Sequence, residues 1–185
     1  MNEIAEQMLS TEIQITALQE IRWKGHGQIK KNKYSWYYGC SQQNTGQFGT
    51  GFVVRKEVEK NIMSFTPINE RICTLRLKGK FHNITLINVY APTEEKIEEK
   101  DKFYDDLQRT CDRVPKHNIV MILEDLNAKI GKEKAYENVT GKHTLHDISN
   151  QNGEMVCNFA VENNMIIVLS SNTKQSIKEP GFHLN

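Results

Sequence analysis

The chain has 185 residues, which fits one domain with a sizeable hydrophobic core. Its 24 Lys and Arg residues nearly balance its 23 Asp and Glu residues, for a formal net charge of +1. This balance excludes a general electrostatic attraction to nucleic acid or membranes, so any polyanion must meet a local patch. The four cysteines lie far apart without a CxxC pair, which argues against a zinc site and a disulfide scaffold.

The first twelve residues, MNEIAEQMLSTE, contain neither the basic nor the apolar segment of a secretion signal. No apolar stretch approaches the length of a membrane span. We therefore expect reduced thiols in an intracellular protein, nuclear or cytoplasmic, that is not secreted and does not associate with membranes.

The first part of the chain predicts one helix followed by β-structure. Residues 2–10 favour a short helix with its apolar side chains on one side, and residues 13–19 favour a strand. Two aromatic or β-branched segments around Trp36 and Phe52 predict a hairpin, because turn-forming residues separate them. We interpret the lysine-rich segment 23–33 as a solvated basic loop.

The central part of the chain predicts a second hairpin and an amphipathic helix. Residues 71–77 and 83–90 favour antiparallel strands, and residues 78–80 supply the turn between them. Apolar side chains recur at helical spacing through residues 96–114, and Pro115 ends that helix.

The last part of the chain begins with the apolar run 119–123, which predicts a strand buried on both faces. A polar loop over residues 127–151, a helix over 152–164 and a final strand over 165–170 follow. Strands outnumber helices, and both hairpins and crossover connections occur. The whole chain, residues 1–185, is therefore predicted to be a single mixed α/β (α+β) sandwich.

Three of the predicted strands end on side chains that are suited to chemistry. Glu20 follows the first strand, and Tyr90 ends the strand before the long helix. Asp125 follows the apolar run, with Asn127 two residues further on. Residues just beyond buried strands are held rigidly yet stay accessible, so we expect these ends to meet in one oxygen-lined pocket. Polar residues also end many strands that have no function, and that alternative stays open at this point.

An oxygen-lined pocket suits a hard divalent cation. Glu20 and Asp125 would hold Mg²⁺, which prefers carboxylate oxygens together with water and substrate phosphate. Asn127 would orient the attacking water, while the Tyr90 hydroxyl would donate to the phosphate in the transition state. The cation would neutralise the phosphate and stabilise the leaving oxygen.

Four segments resemble, in the same order, blocks of one known family: ALQEIRWKGHG, GTGFVV, INVYAPT and EDLNAKIG. This is the endonuclease/exonuclease/phosphatase (DNase I-like) family, and the similarity is greatest to the endonuclease domains of LINE-type retrotransposons. The resemblance implies a four-layer αββα sandwich and Mg²⁺-dependent cleavage of DNA phosphodiesters. By position it makes Glu20 a metal ligand and Tyr90 a transition-state donor. Asp125 would activate the water that Asn127 orients.

The chain departs from this family at both ends and in one motif. The family has an earlier strand with a metal-site Asn, and later strands with an Asp and an Asp-His pair. We find no counterpart of these strands, and His183 lies in no such context, so we expect a sandwich that is incomplete at both termini. The family's GDxN is replaced by EDLN, in which Glu124 adds bulk and a second negative charge beside Asp125. This charge is expected to repel a phosphate.

Other residues are candidates for substrate contact. Trp23 and Lys24 combine an aromatic ring with a cation, which suits base stacking and phosphate contact. Arg71 would approach a phosphate, although an arginine on an edge strand is the commoner situation. The sequence from His143 to Asp147 mimics a metal cluster, but it lies in a predicted loop, and we interpret it as solvated.

These observations predict an Mg²⁺-dependent endonuclease-like domain of retrotransposon origin that acts on DNA and is impaired or inactive. Mn²⁺ would be an alternative cation. A different class of function is a non-catalytic module that binds nucleic acid or protein through the same surface. A phosphatase acting on lipid or inositol phosphates fits less well, because the blocks resemble the retrotransposon branch. Exposed sheet edges would also suit a protein partner.

Overall fold

The structure is a computed structural model that describes residues 1–42, 48–125, 127–141, 144 and 146–168. The chain forms two compact units. Within the described part, the first unit comprises Met1–Tyr90 and Asp106–Glu124, and the second comprises Ala91–Asp105 and residues 125–168.

The first sheet lies in the first unit. Its strands are β1 (Ile15–Leu18), β2 (His26–Lys31), β3 (Tyr34–Gly39) and β4 (Thr50–Arg55). Their spatial order is β1-β4-β3-β2, and every neighbouring pair is antiparallel. Trp36 lies opposite Val53, so the predicted pairing of the two aromatic and β-branched segments is confirmed.

Strand β2 corrects the prediction of a solvated loop over residues 23–33. Exposed and half-buried residues alternate along its first four positions, as expected for a strand with one solvated face. Asn32 has a φ of +56°, which asparagine tolerates, and it turns the chain from β2 into β3. Lys30 forms an ion pair with Glu59 at 2.5 Å. The exposed lysines at the end of β2 are therefore the reason that the sequence predicts a charged loop here.

The second sheet consists of β5 (Ile62–Pro67), β6 (Ile72–Leu77), β7 (Ile84–Tyr90) and β8 (Ile119–Asp125), in that spatial order. The hairpin of β6 and β7 forms as predicted, with Ile72 opposite Val89. Strand β5 pairs antiparallel with β6 and was not predicted, because it is only partly buried.

Strand β8 contradicts the prediction of burial on both faces. Ile119 and Met121 are 39% and 49% exposed, whereas Val120 between them is half-buried. Since residues two apart in a strand share a face, the face of β8 that carries Ile119 and Met121 is open to solvent. The N–H of Ile119 donates to the carbonyl of Asn83 at 2.8 Å, and β7 and β8 therefore begin side by side.

The two sheets pack around a buried apolar core. Phe52 and Val54 of β4 belong to the same cluster as Leu75 of β6 and Leu86 of β7. Phe52, Val54 and Leu75 are completely buried. Since the cluster draws on both sheets, the hydrophobic effect holds them together as a sandwich.

Helix α1 (Asn2–Ser10) covers the other face of the first sheet. Its Met8 is buried in a second cluster with Trp36 and Val53. The packing of α1 on the first sheet, together with the two packed sheets, confirms the predicted mixed α+β sandwich.

The remaining helices are α2 (Lys56–Glu59), α3 (Ile97–Asp112), α4 (Glu137–Thr140) and α5 (Gln151–Glu162), with a 3-10 turn at Lys134–Tyr136. The two long helices α3 and α5 were predicted. The short helices between residues 134 and 140 correct the prediction of an uninterrupted loop, and residues 165–168 form no strand. The end of the predicted final strand lies outside the described residues. No helix in the described part is long and apolar enough to cross a membrane.

Candidate active site

Glu20 follows β1 in a backbone turn that is unusual for its residue types. Glu20, Arg22 and Phe48 all have positive φ angles, of +52°, +59° and +60°. The N–H of Arg22 donates to the Phe48 carbonyl at 2.9 Å, and the N–H of Ile21 donates to the Gly49 carbonyl at 3.1 Å. Left-handed backbone at bulky residues costs free energy and occurs most often at functional sites. This local strain marks the end of β1 as a candidate site.

The structure brings Glu20 and Tyr90 together although 70 positions separate them in the sequence. The Tyr90 hydroxyl donates to Glu20 Oε1 at 2.6 Å, and Arg22 donates to Glu20 Oε2 at 2.6 Å. The hydrogen bond from Tyr90, followed by that from Arg22, lowers the pKa of the Glu20 carboxyl below its ordinary value. Glu20 is therefore an ionised and solvent-exposed carboxylate at neutral pH.

Arg71 and Phe48 hold the ring of Tyr90. The Arg71 guanidinium lies 4.0 Å from the centre of the Phe48 ring and 5.6 Å from that of Tyr90, within range of cation–π attraction. Arg71 also donates to the Tyr90 carbonyl at 3.3 Å. It is only 9% exposed and precedes β6, which has a neighbouring strand on each side. The interpretation as an edge-strand arginine is therefore wrong.

Asn88 is a residue of this region that the sequence analysis missed. Its side chain is fully buried and donates to the carbonyls of Leu18 and Gly51, each at 2.8 Å. It also accepts a hydrogen bond from Gln19 at 2.7 Å. Asn88 lies on β7, whereas Leu18 and Gly51 lie on β1 and β4, so one amide links the two sheets directly beside Glu20. A polar residue inside the apolar strand ITLINVY was the available signal.

Asp125 and Asn127 belong to the second unit. Asp125 is the last residue of β8, and its side chain lies outside the described part of the structure. Asn127 is exposed and has a φ of +48°, and its side chain donates to the carbonyl of Ala91 at 3.3 Å. The buried Asn152 side chain donates to the carbonyl of Asn127 at 3.3 Å. The predicted convergence of all four strand ends remains a prediction.

The other candidate residues have mixed environments. Trp23 is half-buried, with its ring edge-on to Tyr38 at 5.0 Å, and it belongs to the cluster that covers the first sheet. Lys24 is exposed. Asp147 is also exposed and forms an ion pair with Lys132 at 2.8 Å, as expected for a solvated loop. His143 and His183 lie outside the described residues.

Within the described residues, no group of three or more His, Cys, Asp and Glu side chains could hold a metal ion. A metal ion at Glu20 would therefore have this single carboxylate as its ligand from the described residues of the site. Mg²⁺ commonly binds proteins through only one or two carboxylates, with water and substrate phosphate as its other ligands. The exposed and ionised Glu20 fits that mode of binding.

We expect Tyr90→Phe to raise the pKa of Glu20 towards its ordinary value, because the hydroxyl of Tyr90 makes the strongest of the interactions that favour the ionised carboxylate. An NMR titration of the Glu20 side-chain carboxyl measures this pKa. Arg22→Gln is expected to shift the pKa in the same direction. If Glu20 titrated identically in the native chain and in Tyr90→Phe, the hydrogen bond would not exist in solution.

Comparison with known proteins supports the fold. No protein-family model matches the chain. The solved endonuclease domain of TRAS1, a telomere-specific non-LTR retrotransposon, superposes with a TM-score of 0.54 at 15% sequence identity. The match covers 87% of this chain and 63% of that structure. The two packed sheets and their helices thus define a DNase I-like endonuclease fold.

The sequence comparison finds relatives of one kind. The chain is 32% identical over 165 residues to craniofacial development protein 2 of Tragulus javanicus and of Bos taurus, which covers 89% of the chain. The chain spans only 28% and 27% of the length of these two relatives. The chain is therefore similar over most of its length to one part of craniofacial development protein 2, and it has the fold of a DNase I-like endonuclease domain.

Proposed function

We propose that the chain carries a divalent-metal-dependent site for cleavage of DNA phosphodiesters, and that it works slowly. The observation that carries the proposal is the 2.6 Å hydrogen bond between the Tyr90 hydroxyl and the Glu20 carboxylate, at the strained end of β1. It places a phenolic donor beside a carboxylate whose pKa is lowered, at one exposed position. Those are the two groups that a phosphoryl-transfer site needs for its metal and for its transition state.

Glu20 is the residue that would hold Mg²⁺ or Mn²⁺ in the first unit. The bound cation would supply charge neutralisation at the phosphate and at the leaving oxygen. Both Glu20 oxygens already accept hydrogen bonds, from Tyr90 and Arg22. Arg22 is the partner that is easier to displace, since its side chain is 62% exposed and an exposed ion pair is weak.

Tyr90 would turn its hydroxyl from Glu20 to a non-bridging phosphate oxygen as the transition state forms. The stacked Arg71 and Phe48 side chains support this role because they fix the ring before substrate arrives. A hydroxyl on a fixed ring has only to exchange its Glu20 acceptor for a phosphate oxygen, which keeps the cost of reorganisation low.

Asp125 and Asn127 take their roles from the family resemblance. Asp125 would accept the proton of the attacking water, and Asn127 would orient that water by hydrogen bonding. The new phosphorus–oxygen bond forms as the bond to the leaving oxygen breaks, and the leaving oxygen takes up a proton from solvent. Asp125 is the last residue of β8, so its backbone is fixed by a strand, which suits a catalytic base.

Glu124 is the reason for proposing slow turnover. It directly precedes Asp125 and is exposed, so we propose that its negative charge disfavours the approach of a phosphate to Asp125. Two unit charges about 4 Å apart repel each other by roughly 1 kcal/mol even in water. Removing this charge is therefore expected to accelerate cleavage by at least about fivefold.

Nicking of supercoiled plasmid tests the proposal. We expect slow nicking in Mg²⁺ that a chelator abolishes, that Asp125→Ala and Glu20→Gln remove, and that Glu124→Gly accelerates. The conservative variant Glu124→Gln separates loss of charge from the flexibility that glycine adds. The matched control is Glu137→Gln, which removes an equally exposed carboxylate from α4 and is expected to leave nicking unchanged.

Two results would contradict the proposal. Absence of nicking in both the native chain and Glu124→Gly would favour a non-catalytic binding module, which is expected to bind DNA independently of Mg²⁺ and of Glu20. Robust nicking by the native chain, lost in Asp125→Ala, would instead show that Glu124 does not impair the site.

A further inference from the structure

A basic depression lies at the end of the second sheet that is remote from Tyr90. Its volume is about 370 Å³, and it is lined by Lys60, Asn61, Lys78, Gly79 and Lys80. These residues flank the start of β5 and the turn between β6 and β7. Five residue steps along β6 separate this end from the end beside Tyr90, about 17 Å at roughly 3.4 Å per residue.

The backbone of the depression is fixed by hydrogen bonds. The N–H of Lys78 donates to the Asn61 carbonyl at 2.8 Å, and the N–H of Asn61 donates to the Val58 carbonyl at 2.9 Å. Asn61 itself is buried, with 7% of its surface exposed. The lysine stems therefore start from rigid positions, while their ammonium groups reach solvent.

The three lysines of this depression lack the carboxylate partners that some other lysines of the chain have. Lys30, Lys96 and Lys132 are each paired with a carboxylate. Lys60, Lys78 and Lys80 form no ion pair with any residue in the described ranges. In a chain whose net charge is only +1, three uncompensated ammonium groups around one depression form a local anion-binding potential.

Phe81 adds an aromatic surface beside these charges. It is 85% exposed, more than any other large apolar residue in the described part, and it directly follows Lys80. The Lys80 ammonium lies 5.5 Å from the centre of the Phe81 ring. Lysines that neutralise phosphates next to an aromatic ring that stacks on a base are the elements of single-strand recognition.

We propose that Lys60, Lys78, Lys80 and Phe81 form a binding site for single-stranded nucleic acid that is separate from the Glu20–Tyr90 site. The lysines contact successive phosphates, and Phe81 stacks on one unpaired base. A duplex keeps its bases stacked on each other and offers Phe81 no free base face. The site makes no use of a metal, so it stands whether or not the chain cleaves DNA.

Fluorescence anisotropy with a labelled oligothymidine in the presence of chelator tests this site. We expect Lys78→Gln/Lys80→Gln to weaken binding at least tenfold at low salt. The same double variant is expected to reduce the slope of log K against log salt by about 1.4, or ~0.7 for each lost phosphate contact. Phe81→Ala is expected to weaken binding about fivefold or more, the lower range for loss of one stacked base.

A control variant makes the outcome specific. Lys102→Gln/Lys134→Gln removes the same charge from exposed positions of the second unit and is expected to bind as the native chain does. Because the assay contains chelator, it reports binding without cleavage, so failure of the nuclease proposal and failure of this one are distinguishable. Lys78, Lys80 and Phe81 are all exposed, and circular dichroism of each variant would test whether it is folded.

Three results would overturn the proposal. Equal weakening in the control lysine variant would mean that binding follows net charge alone. Equal affinity for a duplex of the same length, with no effect of Phe81→Ala, would mean that no base is stacked. If Lys78→Gln/Lys80→Gln lost binding to phosphatidylserine-containing vesicles but still bound oligothymidine as the native chain does, the depression would be assigned to a lipid surface.

Discussion

Replacing Asn88 with alanine is expected to lower the free energy of unfolding by about 3 kcal/mol, since each buried group that loses its hydrogen-bond partner costs about 1–3 kcal/mol. The variant leaves the carbonyls of Leu18 and Gly51 and the amide of Gln19 without the partner that they have in the native chain. It also leaves a cavity, because Asn88 is fully buried. Urea unfolding followed by circular dichroism measures the change.

Two further variants show whether the hydrogen bonds or the packed volume account for the loss. Asn88→Leu keeps the volume but supplies no donor, so it is expected to be nearly as unstable as Asn88→Ala. Asn138→Ala, at an exposed position on α4, is expected to change the stability by less than about 0.5 kcal/mol. A loss below about 1 kcal/mol in both Asn88 variants would mean that the amide does not link the sheets in solution.

The largest effect on activity is expected from Tyr90→Phe in the faster Glu124→Gly background. If Tyr90 donates to the phosphate only in the transition state, kcat falls about 100- to 1000-fold, the usual cost of losing one such donor. KM is expected to change little, because the ground state does not use the hydroxyl. Single-turnover nicking at varied DNA concentration separates the two constants.

Tyr136→Phe is the matched control for Tyr90→Phe. It removes a phenolic hydroxyl that donates to Asn158 at 3.1 Å in the second unit, so it is expected to leave kcat unchanged. If kcat fell by less than tenfold in Tyr90→Phe while the control stayed unchanged, Tyr90 would not take part in the chemical step. Its hydrogen bond to Glu20 would then serve structure alone.

The parts of the fold that could be predicted are those with clear periodicity. The hairpin of β6 and β7 alternates, and α3 places Phe103 and Leu107 four residues apart on its buried side. Strand β2 was missed because it is largely polar and ends on two consecutive exposed lysines. Strand β5 was missed because its burial is incomplete. Prediction from the local sequence pattern therefore fails where a strand is half solvated, because polar side chains obscure the alternation of apolar and polar residues.

The candidate site could be predicted only as separate pieces. Strand ends and the family resemblance pointed to Glu20 and Tyr90, but their hydrogen bond depends on how two sheets pack. The same holds for Arg71, whose stacking on Phe48 joins distant segments. Asn88 was invisible as a link between sheets, because a sequence shows that a polar residue lies in an apolar strand but not which carbonyls it reaches.

The bonds of Asn88 have a consequence for the order of events during folding. They join positions 37 and 70 residues apart, and long chain loops have to close before they form. Local hairpins such as β6 and β7 need no such closure and are free to assemble first. The Glu20 carboxylate thus reaches Tyr90 only when the two sheets dock, so a partly folded molecule lacks the arrangement that we propose for metal binding.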